Sequence, residues 1–271
     1  MLRVALAALL SLSPFIAAQA EEVNISGSTS VARVMDVLAE HYNASHKNTF
    51  IAVQGVGSTA GITLVKKGVA DIGMSSRYLT EEESSEAMDV FPIAYDGLAI
   101  VVNLTNPVQN LTRQQLFDIY KGNITNWKQV GGPDQEIAVV TREASSGTRY
   151  SFETLLGLTQ VINDRLVSDI NPTNLVVNSN SMVKTIVNHN PHAVGFISEG
   201  SVDLSVKAIQ FEGVEANRQN ISDGKYKLAR PFLLLHTKDD IDDDADKFIR
   251  FVLSKEGQAL IQEYGYTPIK K

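Results

Sequence analysis

The chain has 271 residues, no cysteine and a formal net charge of −7. This balance excludes a nucleic-acid binder, which needs clustered basic residues to displace counterions. The missing thiols exclude disulfides and a cysteine-linked lipid anchor. After the leader, no apolar stretch reaches the about 20 residues needed to span a bilayer, and the roughly 250 remaining residues suit one large domain or two compact lobes.

The first twenty residues carry Arg3, an apolar stretch from Val4 to Leu12 and Ala18-Gln19-Ala20 ahead of Glu21-Glu22. This predicts a cleaved secretory signal over residues 1–20 and a free periplasmic protein. Gly27-Ser28-Thr29-Ser30 then opens a helical pattern (Val31, Val34, Met35, Leu38, Tyr42). A strand over Phe50–Gln54 leads to Gly55-Val56-Gly57-Ser58-Thr59-Ala60-Gly61, which opens a second helix (Ile62, Leu64, Val65). The GxGxxxG spacing is not a dinucleotide fingerprint, and Lys66 lies too far along for a phosphate-binding lysine loop.

The strand Ala70–Met74 delivers Ser75-Ser76-Arg77 to its carboxyl end, with Ser76 a ligand candidate and Arg77 read as a salt-bridged residue outside the site. Asp96, in Tyr95-Asp96-Gly97, precedes the strand Leu98–Asn103 and reads either as a turn or ion-pair residue or as a ligand contact. Thr112 and Gln115 form a capping-box pattern for a helix stopped by Gly122. The strand Ile137–Arg142 then brings Arg142 to Ser146-Gly147-Thr148, which opens a helix through Phe152, Leu155 and Leu156, ended by Gly157.

Further strands are predicted over Ala193–Ser198, Lys207–Phe211 and Pro231–Thr237. The acidic run Asp239–Asp246 fails as a calcium loop, because Ala245 and Phe251 stand where glycine and glutamate are required, and it reads as a solvated helix start. His189 and His192 flank Pro191 and do not make a metal pair, and no serine has a neighbouring histidine or nucleophile-elbow glycines. No catalytic residue, metal or cofactor is expected.

Strands alternating with helices argue for an α/β architecture with mostly parallel sheets flanked by helices. Crossing strands at Phe91–Asn103 and Lys227–Thr237 would join lobe I (residues 21–97 and 231–271) to lobe II (residues 98–230) around a cleft. Three small-hydroxyl turns, each opening a helix, together with Arg142 predict a site for one oxyanion. Unpaired helix N–H groups and a planar guanidinium fork both favour an anion. Alternatively the turns only cap their helices.

The motifs together resemble the phosphate-binding solute receptors of bacterial ABC importers over nearly the whole mature chain. The resemblance rests on Ile25 through Ser30, Gln54 through Gly61, Asp71 through Arg77, Phe91-Pro92-Ile93 with Asp96-Gly97, Leu116 through Gly122 with Asn126-Trp127, and Arg142 through Thr148. It implies a two-lobed periplasmic binding protein of type II that closes on inorganic phosphate, works as a monomer and docks on a membrane permease. Carried over residue by residue, it implies phosphate contacts at Ser28, Thr29, Ser30, Ser58, Arg142, Ser146, Gly147 and Thr148.

This chain has Ser76 where longer members place an aspartate that accepts the phosphate proton, so Asp96 is expected to take over that role. The competing expectations are a receptor for sulfate, molybdate or arsenate, a secreted phosphatase, and an adhesin.

Overall fold

The computed structural model describes residues 21–163, 165–238 and 241–269. The expected leader and two aspartates of the acidic run, Asp239 and Asp240, lie outside the described residues. Strand β1 (Glu21–Gly27) turns Val23 and Ile25 inward and feeds α1 (Thr29–Ser45), whose stripe of Val31, Val34, Met35, Leu38 and Tyr42 is buried as its spacing predicts. Next come β2 (Thr49–Gly55), α2 (Ser58–Lys66) and β3 (Ile72–Ser75). β1 pairs in parallel with both β2 and β3, and the helices between them supply the crossovers that parallel pairing requires.

The chain leaves this region along β4 (Met88–Val102), a 15-residue strand. It then forms β5 (Asn110–Leu111), α3 (Arg113–Lys121), β6 (Ala138–Arg142), α4 (Gly147–Leu156), the hairpin of β7 (Thr159–Ile162) and β8 (Arg165–Ser168), β9 (Leu175–Val177), α5 (Asn180–His189), β10 (Ala193–Ser198), β11 (Lys207–Phe211) and α6 (Arg218–Ser222). It returns along β12 (Ala229–Thr237) to α7 (Asp243–Leu253), α8 (Lys255–Glu263) and β13 (Thr267–Pro268). The predicted stops hold. Thr112 and Gln115 make a reciprocal capping box on α3, and Gly122 and Gly157 end α3 and α4 in the left-handed conformation that glycine adopts without a Cβ clash. The described part of the acidic run starts α7, where Asp242 caps the helix through the Asp244 N–H.

Away from the crossing strands the sheet pairs in parallel, as expected, and the antiparallel pairs are those made by β4 and β12, together with the separate β7–β8 hairpin. Strand order is β2-β1-β3-β12-β4-β10-β6-β9, and β12 runs antiparallel to β3 and β4, as β4 does to β10, β11 and β13. The physical reason is the path of the chain: it crosses out along β4 and back along β12, and neighbours laid down in opposite directions pair antiparallel. The parallel pairs join strands whose connecting segments contain at least one helix.

Buried side chains fall into separate cores. One gathers Val23, Met35, Ile72 and Ile93 with Phe232, Phe248 and Tyr266. Two others draw only on residues between Leu98 and Leu228, around Trp127, Phe152 and Phe196 and around Val140 and Val183. The strands shared by both halves are β4 and β12.

Candidate functional site

The N-termini of α1, α2, α4 and α5 converge on one cluster. Each is positioned by a strand that ends just before it, so the loops gather at carboxyl strand ends, where open α/β sheets place ligands. From the first half come Ser28, Thr29, Ser30, Ser58 and Ser76. From the second come Arg142, Ser146, Gly147 and Thr148. All of these except Thr29 among the side-chain residues are buried.

The two halves meet directly. Ser30 Oγ lies 3.0 Å from Thr148 Oγ1, and Arg142 Nη2 donates to Thr29 Oγ1 at 3.2 Å. Ser58 Oγ accepts from the Ser76 N–H at 3.1 Å and stands 3.4 Å from Ser76 Oγ. Gly147 presses against this serine pair so closely that a Cβ there would overlap Ser58 Oγ and approach Ser76 Oγ. Glycine at 147 is therefore a requirement of close approach.

Ser28 and Ser146 are helix caps. The Ser28 hydroxyl accepts from the N–H groups of Ser30 and Val31, and Ser146 Oγ accepts from Arg149 N–H. Capping uses the oxygen lone pairs and leaves each O–H free to donate, so the capping and ligand readings are compatible. The N–H groups of Gly147 and Thr148, which precede the first intrahelical bonds of α4, have no partner among the described residues.

Arg142 is 1% exposed. Its Nε and Nη2 each donate to a Glu143 carboxylate oxygen at 3.0 Å, Nη2 also reaches the Asn178 carbonyl at 3.0 Å, and Nη1 donates to Asn180 Oδ1 at 3.2 Å. Nη1 makes this one bond of the two its hydrogens allow among the described residues. Asn180 in turn donates to Ser30 Oγ at 3.1 Å and Ser201 Oγ at 3.3 Å. Sequence reasoning passed over Asn180 and Glu143. The available signal was Ser179, an N-cap residue like the other turn serines, whose hydroxyl accepts from Met182 N–H and sets Asn180 on the first turn of α5.

Asp96 does not join this cluster, and the expectation that it accepts a ligand proton is corrected by its geometry. Its Oδ2 accepts from Arg230 Nε and Nη2 at 3.0 and 2.8 Å, and its Oδ1 accepts from Ser198 Oγ at 2.8 Å and Glu199 N–H at 3.1 Å. A carboxylate offers about four lone-pair sites, and all four are occupied. β4 and β12 are in register at Asp96 and Arg230, so the ion pair sits inside the crossing ribbon. Burial opposes both charges, raising the Asp96 carboxyl and lowering the Arg230 guanidinium, while their mutual attraction acts the other way.

Glu199 feels the same environment. Burial and the charge of Asp96 push its carboxyl up to about 7 from an ordinary 4.5, with Arg218 pulling partly back. Between those values the folded chain holds a proton that the unfolded chain has released, so stability falls as pH rises through this window and levels off above it. Denaturant titrations at about pH 5 and about pH 8 should differ by on the order of 2 kcal/mol through this group, and Glu199→Gln should remove that part of the difference.

A family model described as the PBP superfamily domain matches residues 16–256. The phosphate-binding protein PstS of Borreliella burgdorferi is 31% identical over 252 residues, covering 92% of this chain and 90% of the relative. PstS of Bacillus subtilis is 28% identical over 251 residues, covering 91% of this chain and 80% of the relative. Among solved structures, an ABC-type phosphate transport receptor from Vibrio cholerae is 65% identical with a TM-score of 0.78, covering 91% of this chain and 100% of that chain. A putative phosphate ABC transporter substrate-binding protein with bound phosphate from Clostridium perfringens is 38% identical with a TM-score of 0.87, covering 92% and 100%.

Proposed function

We propose that this chain, which belongs to the PBP superfamily and within it to the family of PstS phosphate-binding proteins, captures inorganic phosphate in the periplasm and delivers it to the permease of an ABC importer. The observation that carries this reading is the pair of N–H groups of Gly147 and Thr148 at the start of α4, without a partner among the described residues and set beside the Arg142 guanidinium and the hydroxyls of Ser30, Ser58, Ser76 and Thr148. Such donors replace the hydration shell of an oxyanion, and in a site closed to water each contact is stronger than it would be in bulk solvent. The net charge of −7 is no obstacle, since donors in contact with the ion outweigh charges more than a Debye length away. Binding is the whole task; no bond is made or broken.

The separate cores support lobes at residues 21–97 with 231–271 and at residues 98–230, hinged at β4 and β12. Residues 1–20 act in this reading as the export signal. No helix among the described residues is long and apolar enough to cross a membrane, which fits release as a monomeric carrier that docks on the permease.

The deciding experiment is calorimetric titration of the mature protein, stripped of anion by unfolding and refolding, with phosphate and then sulfate at neutral pH. Saturable, tight phosphate binding is expected. Tighter binding of sulfate or molybdate would move the protein to another oxyanion, and no response to any of them would leave the hydroxyl turns as helix caps only.

A further inference from the structure

Arg77 follows Ser76 in sequence but stays out of the hydroxyl cluster. Its side chain is 3% exposed and both Nη groups are engaged, while Nε has no partner among the described residues: Glu83 accepts from Nη1 at 2.5 Å and Nη2 at 2.6 Å, Thr59 Oγ1 accepts from Nη2 at 3.1 Å, and the Tyr78 carbonyl accepts from Nη1 at 3.0 Å. All three partner residues belong to the first half of the molecule, so the guanidinium is a fixed plate with a face to offer. That face lies 4.8 Å from the centroid of the Tyr150 ring, which the first turn of α4 carries from the other half.

The surrounding contacts follow the same line across the cleft. Ser151 Oγ donates to the Ser76 carbonyl at 3.1 Å, and the Thr59 N–H donates to the Ser145 carbonyl at 3.3 Å. We propose that Arg77 and Tyr150, flanked by these two hydrogen bonds, form a latch that holds the closed lobes together without touching the ligand. The latch rests on the phosphate-receptor reading for its role in binding. It exists only when the lobes are shut, so it contributes to affinity through the closing equilibrium. Association begins with the lobes apart and is little affected, whereas release must break the latch. Arg77 and Tyr150 are thus positioning residues that set how long the anion stays.

Tyr150→Leu keeps an apolar side chain of moderate bulk and removes the aromatic face; Tyr150→Phe keeps the face and removes only the hydroxyl. In stopped-flow chase of phosphate-loaded protein, Tyr150→Leu should release phosphate about five-fold faster, the size of one partly desolvated cation–π contact, and Tyr150→Phe should match the parent. The phosphate-to-sulfate preference should be the same in all three proteins. Spin labels on the two lobes, read with no anion present, should show a larger open fraction for Tyr150→Leu.

Equal release rates for the leucine and phenylalanine variants, together with identical distance distributions, would overturn the latch. If the parent protein binds no phosphate, the receptor reading falls, and the anion-free distances alone decide the latch: a wider cleft in Tyr150→Leu upholds it and no change overturns it.

Discussion

Arg142→Ala is expected to weaken phosphate binding by about 100- to 1000-fold, the range for truncating one partner of a buried, hydrogen-bonded charge pair. Three losses combine. The anion loses its one fully charged donor in the cluster. Thr29 in the opposite lobe loses the guanidinium that reaches it at 3.2 Å. Glu143, now without its counter-charge, is left as a carboxylate beside the anion and repels it. The third loss makes a specific expectation for the double variant: Arg142→Ala with Glu143→Gln should recover part of the affinity. Arg142→Lys should remain weak, because an ammonium cannot engage Glu143, Asn180 and Thr29 together as a planar fork does. Calorimetry on each variant, with circular dichroism to confirm the fold, measures this. Affinity for Arg142→Ala within tenfold of the parent would mean that the anion's charge is met elsewhere.

The second large effect concerns stability. Asp96→Ala is expected to cost about 3–5 kcal/mol, since it leaves a buried guanidinium without its partner; for a protein of this size that lowers the melting temperature by on the order of 10 °C. Arg230 is 3% exposed and cannot turn to water. Asp96→Asn should destabilise less, because the amide oxygen still accepts hydrogen bonds although the charge is gone. In both variants the preference for phosphate over sulfate should remain that of the parent, because the lone pairs of Asp96 are already taken by Arg230, Ser198 and Glu199. Chemical denaturation followed by sulfate competition tests both parts. A narrowed anion preference in Asp96→Asn would show that this carboxylate faces the ligand after all.

Much of this arrangement was legible in the sequence because it rests on local signals. The turns before α1 and α4 announce themselves through serine caps and a 3.6-residue apolar period, and the capping box of α3 is spelled by Thr112 and Gln115. Strands buried on both faces, such as β10 with all six residues buried, stand out as apolar runs. Strand β1 was harder, with only Val23 and Ile25 to mark it among polar residues, and β7 and β8 carry exposed Val161, Ile162 and Leu166, which do not report a core.

What local pattern cannot supply is partnership across long separations. Asp96 was singled out correctly as a notable carboxylate, with an ion pair among its readings, but its partner is 134 residues away. Only the register of β4 on β12 reveals that its oxygens are spent. Asn180 likewise became meaningful only once folding set it between Arg142 and Ser30.

The division of buried side chains also bears on how the chain acquires its structure. The cores around Trp127 and Val140 are contiguous in sequence, whereas the core containing Val23 and Met35 needs Phe232, Phe248 and Tyr266 from the far end. β3 likewise waits for β12, its neighbour in the sheet. Contacts of short sequence separation close soonest because less loop entropy opposes them. During synthesis, the middle of the chain can condense first, while β1, α1 and β2 remain an incomplete half with an exposed apolar face until α7 and α8 emerge. Premature burial of the N-terminal segment is thereby deferred until the last fifth of the polypeptide is available.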